Sequence, residues 1–250
     1  MGRRRADREL EKAFARAVRA GQEAERQSLL AAVASGIFSE EVREVQDALS
    51  GGYKAALSYM ARVRDLWRRR WTERLSGPLL RVMQTSELPT NRGPVTLGLD
   101  VSNPKLRDYF EGYVVEVSGQ ITDTTQKRLT EVIRKASEEG LSVPEAAKRI
   151  EEVGEEFRGS RAELIARNEL HRAAVGAGEI NARESGVVVS RTWLSALDER
   201  VRPLHRTLNG KTVGMDEPFA PGVNSPADEI ACRCTLLYGL NPEMLEGRTA

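Results

Sequence analysis

The stretch 187-VVVSRTWLSALDERVRPLHRTLNGKTV-213, answered after a turn-rich interval by 232-CRCTLLY-238, decides the reading of this chain. Val187, Val188, Val189, Thr192 and Trp193 are β-branched or aromatic and predict a strand. Short strands are also expected at Lys211–Val213 and Cys232–Tyr238. Gly214, Pro218, Pro221, Gly222, Asn224 and Pro226 make the interval between them turns rather than helix. Both cysteines and one of the two histidines fall in this region, so soft-metal or thiol chemistry has its place here. On a strand from Ala231 to Leu237, Cys232 and Cys234 would project to the same side, because side chains alternate with period two. His205 as a third ligand, with Asp198 or a water as the fourth, would complete a tetrahedral zinc site.

The same residues admit other chemistry. A cysteine nucleophile with His205 as its base and Asp198 as the orienting group would give a hydrolase, and Arg233 supplies a nearby cation. A disulfide between residues two apart meets the limit of bridging geometry. Two small buried thiols beside a structural histidine need no chemistry at all. His171 falls inside a helical stretch next to Glu169 and Arg172, where a surface or packing role is expected. Asp228 and Glu229, just ahead of the cysteines, could ligate a cation, though a solvated loop is their ordinary explanation. The chain contains no H-E-x-x-H, H-x-E with P-C-x-x-C, Walker glycine loop or G-x-S-x-G, so those enzyme classes have no motif here.

Upstream, the pattern is helical. Apolar spacings of three and four run from Asp7 to about Ala34, and a second helix is expected over Ser39–Leu49, with Ser39 as cap and Glu40 and Glu41 facing the positive end of its dipole. A third, from about Tyr53 to Leu75, lines up Ala56, Met60, Val63, Trp67, Trp71 and Leu75. Arg62, Arg64, Arg68, Arg69, Arg70 and Arg74 occupy its other faces. Arginines on phosphates and tryptophans on bases would make this helix a non-specific double-stranded DNA patch. An ordinary amphipathic helix has the same pattern, with the tryptophans in the core. The surplus of Lys and Arg lies in the first 100 residues, while the remainder leans acidic.

Pro89, Asn91, Gly93, Pro94, Asn103 and Pro104, around an alternating Val95–Val101, mark a linker with one extended piece. Beyond it, separate helices are expected from Lys105 to about Val117, from Thr122 or Asp123 to Gly140, from the Ser142/Glu145 capping box to about Val153, and from a Ser160/Glu163 box to near Gly186. Only 5% of the residues are aromatic while 30% are charged, which suits long solvated helices rather than an all-β fold. MGRRRADREL has a basic flank without an apolar core, so it does not read as a secretory signal, and no apolar run approaches the ~20 residues of a membrane span. A cytosolic protein is expected.

The ordered pieces of the second half resemble the Mu F-like head morphogenesis proteins of tailed bacteriophages, also called minor head or minor capsid proteins. They are Ile121–Thr125, Glu138–Ile150, the helix with Arg161, Arg167 and Glu169, and then Trp193, Asp198, Arg200, Arg202, His205, Gly210 and Cys232–Arg233–Cys234. Asn168 stands where the family has a threonine. The resemblance implies an internal capsid protein that associates with the portal, enters the procapsid with scaffold or major capsid protein, and contacts DNA during packaging or ejection. Its location would be the capsid interior of the virion, after assembly in the host cytoplasm. The expected fold is α+β: a helical region over 1–88, a linker over 89–104, a Mu F-like domain of helices and a small sheet with turn-rich loops over 105–242, and a tail over 243–250. A metal-dependent nuclease or cysteine hydrolase using Asp198, His205, Cys232 and Cys234 is the alternative.

Overall fold

A computed structural model describes residues 23–34, 36–85, 88–90, 93–95 and 103–241. The expected helix from Asp7 is described only as α1, Glu23–Ala34; its earlier part, residues 96–102 of the linker and the tail lie outside the described residues. The fold is α+β. Helices α2 (Ile37–Ser50), α3 (Tyr53–Met60), α4 (Arg64–Thr85), α5 (Pro104–Glu138), α6 (Val143–Glu156), α7 (Ala162–Glu184) and α8 (Pro203–Leu208) accompany strands β1 (Leu88–Thr90), β2 (Gly93–Val95), β3 (Val188–Leu194), β4 (Thr212–Gly214) and β5 (Thr235–Leu240). No helix among the described residues is long and apolar enough to cross a membrane. Two compact units divide the chain: one is Gln27–Leu80 with Arg107–Arg167, and the other contains Arg81–Leu106 and Asn168 onward.

The first unit is helical, and its core follows the apolar stripes. Phe38 lies 4.8 Å from Trp71 and 5.3 Å from Phe157, ring centre to ring centre. All six stripe residues from Ala56 to Leu75 are buried, which settles the tryptophans as core. Burial of such side chains supplies about 1.5–3 kcal/mol each. Gly154 of α6 lets α2 come close, since a Cβ there would stand 2.8 Å from Val42 Cγ2.

Four helix boundaries differ from the sequence expectation, each for a local reason. Gly36, at φ 74°, is the N-cap of α2, so Ser39 sits inside the first turn rather than capping it. The Tyr53–Leu75 helix is broken after Met60 by a tight turn in which Arg62 N–H donates to Tyr59 O at 2.9 Å; it then runs on through Pro78 to Thr85. Buried Leu79, Val82 and Met83 continue the apolar spacing past the Gly-Pro pair. Thr122 and Asp123 start nothing, because α5 is continuous. Thr124 and Thr125 instead donate their hydroxyls back to Gln120 O and Ile121 O, as helix-interior threonines do. The α6–α7 junction is a π-turn over Phe157–Arg161, so Ser160 caps no helix. The Ser142/Glu145 box does form, and Gly140, at φ 68°, ends α5 with Leu141 N–H on Ala136 O at 3.0 Å, a Schellman closure.

The second unit holds a five-stranded sheet ordered β2-β1-β5-β3-β4. β3 pairs antiparallel with both β4 and β5, and β5 meets β1 in parallel at Tyr238 and Thr90. The Val187–Val189 run does not extend smoothly: the register shifts between Val188 and Ser190, leaving Val189 exposed. Gly239 faces the bulge, where a Cβ would stand 2.3 Å from Ser190 Oγ. Trp193, Phe219, Leu236, Tyr238, Val175, Ala182 and the two cysteines form one buried cluster.

Candidate functional site

The expected strand placement of the cysteines is corrected by the fold. β5 begins at Thr235, and Cys232–Arg233–Cys234 is the loop that leads into it. Ala231, at φ 58°, turns the chain just before Cys232, and Cys234 N–H lies 3.4 Å from Cys232 Sγ. This local curl, rather than strand alternation, brings both thiols to one point. Both are free and buried.

His205 meets them from α8. Its Nδ1 is 3.5 Å from Cys232 Sγ and 3.5 Å from Cys234 Sγ, and the three ligand atoms all lie within 4.8 Å of one another. The imidazole is fixed by the edge of Trp193, at a centroid distance of 4.9 Å, and Trp193 in turn stands against Phe219 at 5.1 Å. The other ring nitrogen, Nε2, has Glu229 Oε1 at 3.4 Å, but it makes no well-aligned hydrogen bond among the described residues. Gly210, at φ 80°, makes the turn after α8, and its N–H donates to Trp193 O at 2.8 Å. The hydrogen bond between the two thiols holds the Cys232 thiol well below its ordinary range, against the opposing effect of burial. That bond and burial push Cys234 up.

Asp198 does not join this set. Its carboxylate is clamped by Arg233, with Nη1 at 2.5 Å and Nη2 at 2.7 Å, and it also accepts the Arg200 N–H at 3.0 Å. Arg233 holds the Asp198 carboxyl below the usual carboxylate range. An Asp198-oriented His205–cysteine triad is not assembled, because the carboxylate nearest the imidazole is that of Glu229. Arg202 makes a second clamp, to Glu229 Oε2 at 3.0 Å and Ile230 O at 2.7 Å. Two arginine–carboxylate straps thus tie the 198–205 segment to the 229–234 segment. Arg200 is exposed beyond its backbone bond to Asp198.

The α7 residues divide into distinct roles. Asn168 is buried and bridges the helix to the cysteine loop: its Nδ2 donates to Glu169 Oε1 at 2.7 Å, and its Oδ1 accepts Ala231 N–H at 2.9 Å. Arg167 is exposed. Arg161, just before α7, lies 4.5 Å over the Phe157 ring and donates to Thr125 Oγ1 at 2.8 Å and Ile121 O at 3.1 Å. Burial lowers its guanidinium pKa to about 10.

The arginines of the proposed DNA patch are also distributed. Arg64 pairs with Asp123 and Arg70 with Glu44, whereas Arg62, Arg68, Arg69 and Arg74 make no ion pair among the described residues. Trp67 and Trp71 are turned inward, donating to Glu44 at 2.9 Å and Glu41 at 2.8 Å, so neither is presented to a base.

The sequence reading missed a buried ion pair. Arg191, 3% exposed, pairs with Glu179 and donates to Asn224 O and Glu217 O, each at 2.9 Å. Its guanidinium lies 5.1 Å over the Phe219 ring. The available signal was an arginine at an inward position of a strand, which calls for a buried partner.

Comparison with known proteins bears on residues 127–237, which match the family described as Phage Mu protein F like protein. The chain is similar to the Minor head protein GP7 of Bacillus phage SPP1, with 36% identity over 103 residues that cover 36% of this chain and 33% of that protein. It is also similar to the NAD(+)--arginine ADP-ribosyltransferase EFV of Enterococcus faecalis (strain ATCC 700802 / V583), with 31% identity over 121 residues, covering 42% of this chain and 25% of that protein. The chain thus matches a third or less of the length of either relative. No solved structure matches.

Proposed function

We propose that this chain, which belongs through residues 127–237 to the Mu F-like phage head proteins, acts as a minor head protein that associates with the portal inside the procapsid of a tailed phage or prophage. The observation that carries this reading is the family match over a segment that takes in α7, the Trp193–His205–cysteine core and both arginine straps. The relative named as a minor head protein supports it. Such a protein is made in the host cytoplasm and ends in the capsid interior, entering with scaffold or major capsid protein. Co-expression with those proteins and the portal protein of the same phage tests the assignment. The chain is expected to sediment with portal-bearing procapsids and to be missing from portal-less ones; a chain that stays free in both would overturn the assignment.

DNA contact belongs to the same proposal and rests on Arg62, Arg68, Arg69 and Arg74, the arginines of this stretch that make no ion pair among the described residues. Phosphate contacts weaken as salt rises. Replacing these four with alanine should reduce both the affinity for duplex DNA and the salt slope; binding that is absent or salt-independent in the unmodified chain would remove DNA from this reading.

The similarity to an ADP-ribosyltransferase favours no catalytic reading of the cysteine cluster. The thiols are buried, and Asp198, the carboxylate expected to orient His205, is engaged by Arg233.

A further inference from the structure

We propose that His171, His205, Cys232 and Cys234 form a tetrahedral zinc site, with His205 ligating through Nδ1 and His171 taking the position first expected of Asp198. The geometry of the first three atoms points to a central ion. Zinc–sulfur bonds of about 2.3 Å and zinc–nitrogen bonds of about 2.0–2.1 Å at a tetrahedral angle set N and S about 3.6 Å apart. Both Nδ1–Sγ distances are 3.5 Å. An imidazole nitrogen has one in-plane lone pair or one proton, so it cannot align with two sulfurs at the same distance. A metal between the three atoms satisfies all of them. Two sulfur and two nitrogen donors in a tetrahedral set select zinc among the common divalent ions.

The surroundings fit ligation. A metal-bound histidine usually directs its other ring nitrogen at a carboxylate, which fixes the tautomer. Glu229 Oε1, 3.4 Å from His205 Nε2 and held by Arg202, occupies that place.

The fourth ligand comes from α7. His171 lies outside the 4.8 Å set formed by the other three ligand atoms, so ligation requires its side chain to turn toward the Cys232 thiol, which is within its electrostatic reach; its own buried Nε2 makes no hydrogen bond among the described residues. An independent contact places this face of the helix at the cysteine loop. Asn168, one helical turn before His171 and therefore on the same side, accepts the N–H of Ala231, the residue before Cys232. Ligation would join α7, α8 and the loop into β5 at one point, in a region otherwise built of turns. Binding displaces the thiol protons, so affinity should rise with pH.

The full chain, stripped with chelator, is titrated with Zn²⁺ against a chromophoric competitor and, separately, with Co²⁺. One metal per chain is expected, with thiolate-to-cobalt charge-transfer bands and tetrahedral ligand-field bands. Cys232→Ser and Cys234→Ser should each abolish stoichiometric binding. His171→Ala should weaken zinc by at least about tenfold and shift the cobalt bands as water replaces nitrogen. His171→Gln, which preserves helix and bulk, is read in the same way should the alanine variant fail to fold. Failure of the full chain to bind one equivalent overturns the site. Unchanged affinity and spectrum in the His171 variants overturn the fourth ligand. Neither readout depends on capsid assembly, so this proposal and the head-protein assignment fail separately.

Discussion

Two carboxylates one turn apart on α2, Glu41 and Glu44, show how differently the helical unit treats charge from the sheet unit. Glu41 is buried, receives the Trp71 indole N–H as its one side-chain hydrogen bond among the described residues, and is pushed by burial to a pKa of about 8. Glu44 is also partly buried, but hydrogen bonds from Tyr59, Trp67 and Arg70 outweigh desolvation and hold it below the usual range. In the helical unit, then, the buried and half-buried carboxylates of α2 serve an aromatic core, while exposed ones pair across helices, Asp123 with Arg64 and Glu156 with Arg128. In the sheet unit charges join segments: Asp198 to Arg233, Glu229 to Arg202, Glu179 to Arg191. The first unit should depend chiefly on apolar volume, and the second on paired polar groups.

The largest effects test that division. Trp71→Ala removes a fully buried ring from the Phe38–Phe157 contact and leaves Glu41 without its donor. A loss of about 3–5 kcal/mol in urea unfolding is expected. Arg191→Ala should destabilise by a comparable ~3–5 kcal/mol for the opposite reason, since Glu179 and two carbonyls lose their cation. Replacing Arg191 and Glu179 together by apolar residues of similar volume should recover much of the Arg191→Ala loss. Should the double variant be as unstable as the single one, volume rather than charge pairing holds the sheet unit, and the contrast fails.

A pH profile separates the units next. Because the folded pKa of Glu41 lies above its unfolded value, the folded state binds the extra proton. Its contribution is present below the unfolded value near 4.5 and is lost as pH rises towards about 8. Stability should therefore fall across that window, by roughly a few kcal/mol at most. Glu41→Gln keeps an acceptor for Trp71 and cannot ionise, so the difference between variant and parent should grow with pH and level off above about 8. A difference that is flat from pH 5 to 8 would show that Glu41 does not titrate in this window.

The helical unit was legible because burial there follows a single period. The Ala56–Leu75 stripe identified six core residues correctly even though the chain turns sharply at Ala61–Val63 within it. Periodicity reports which face is buried but does not locate breaks, so the α3–α4 turn and the unbroken α5 were missed. Thr122 and Asp123 have the residue types of a cap, and only tertiary packing shows that Thr122 is buried mid-helix. In the sheet unit, the residues of the cluster were visible as rare types brought near one another. Their geometry was not, because it depends on a left-handed Ala231 and on which carboxylate each arginine selects. His171 has charged neighbours in sequence and fits a surface or packing role; nothing local to it points toward the cysteine loop, which its helix meets through Asn168 and Ala231.

The smallest expected effect sharpens the comparison most finely. Asp198 is exposed, so its bidentate pair with Arg233 is well screened, and Asp198→Asn should move the thermal midpoint less than any substitution above. A strap and a source of stability can nevertheless be told apart. Losing a strap frees the segments it joined, so amide exchange should accelerate at residues 198–205 and 229–234 while β3, β5 and the helical core keep their protection. Uniformly faster exchange would mean that Asp198 contributes to global stability, and the distinction between a unit held by volume and one held by local polar ties would not extend to its surface.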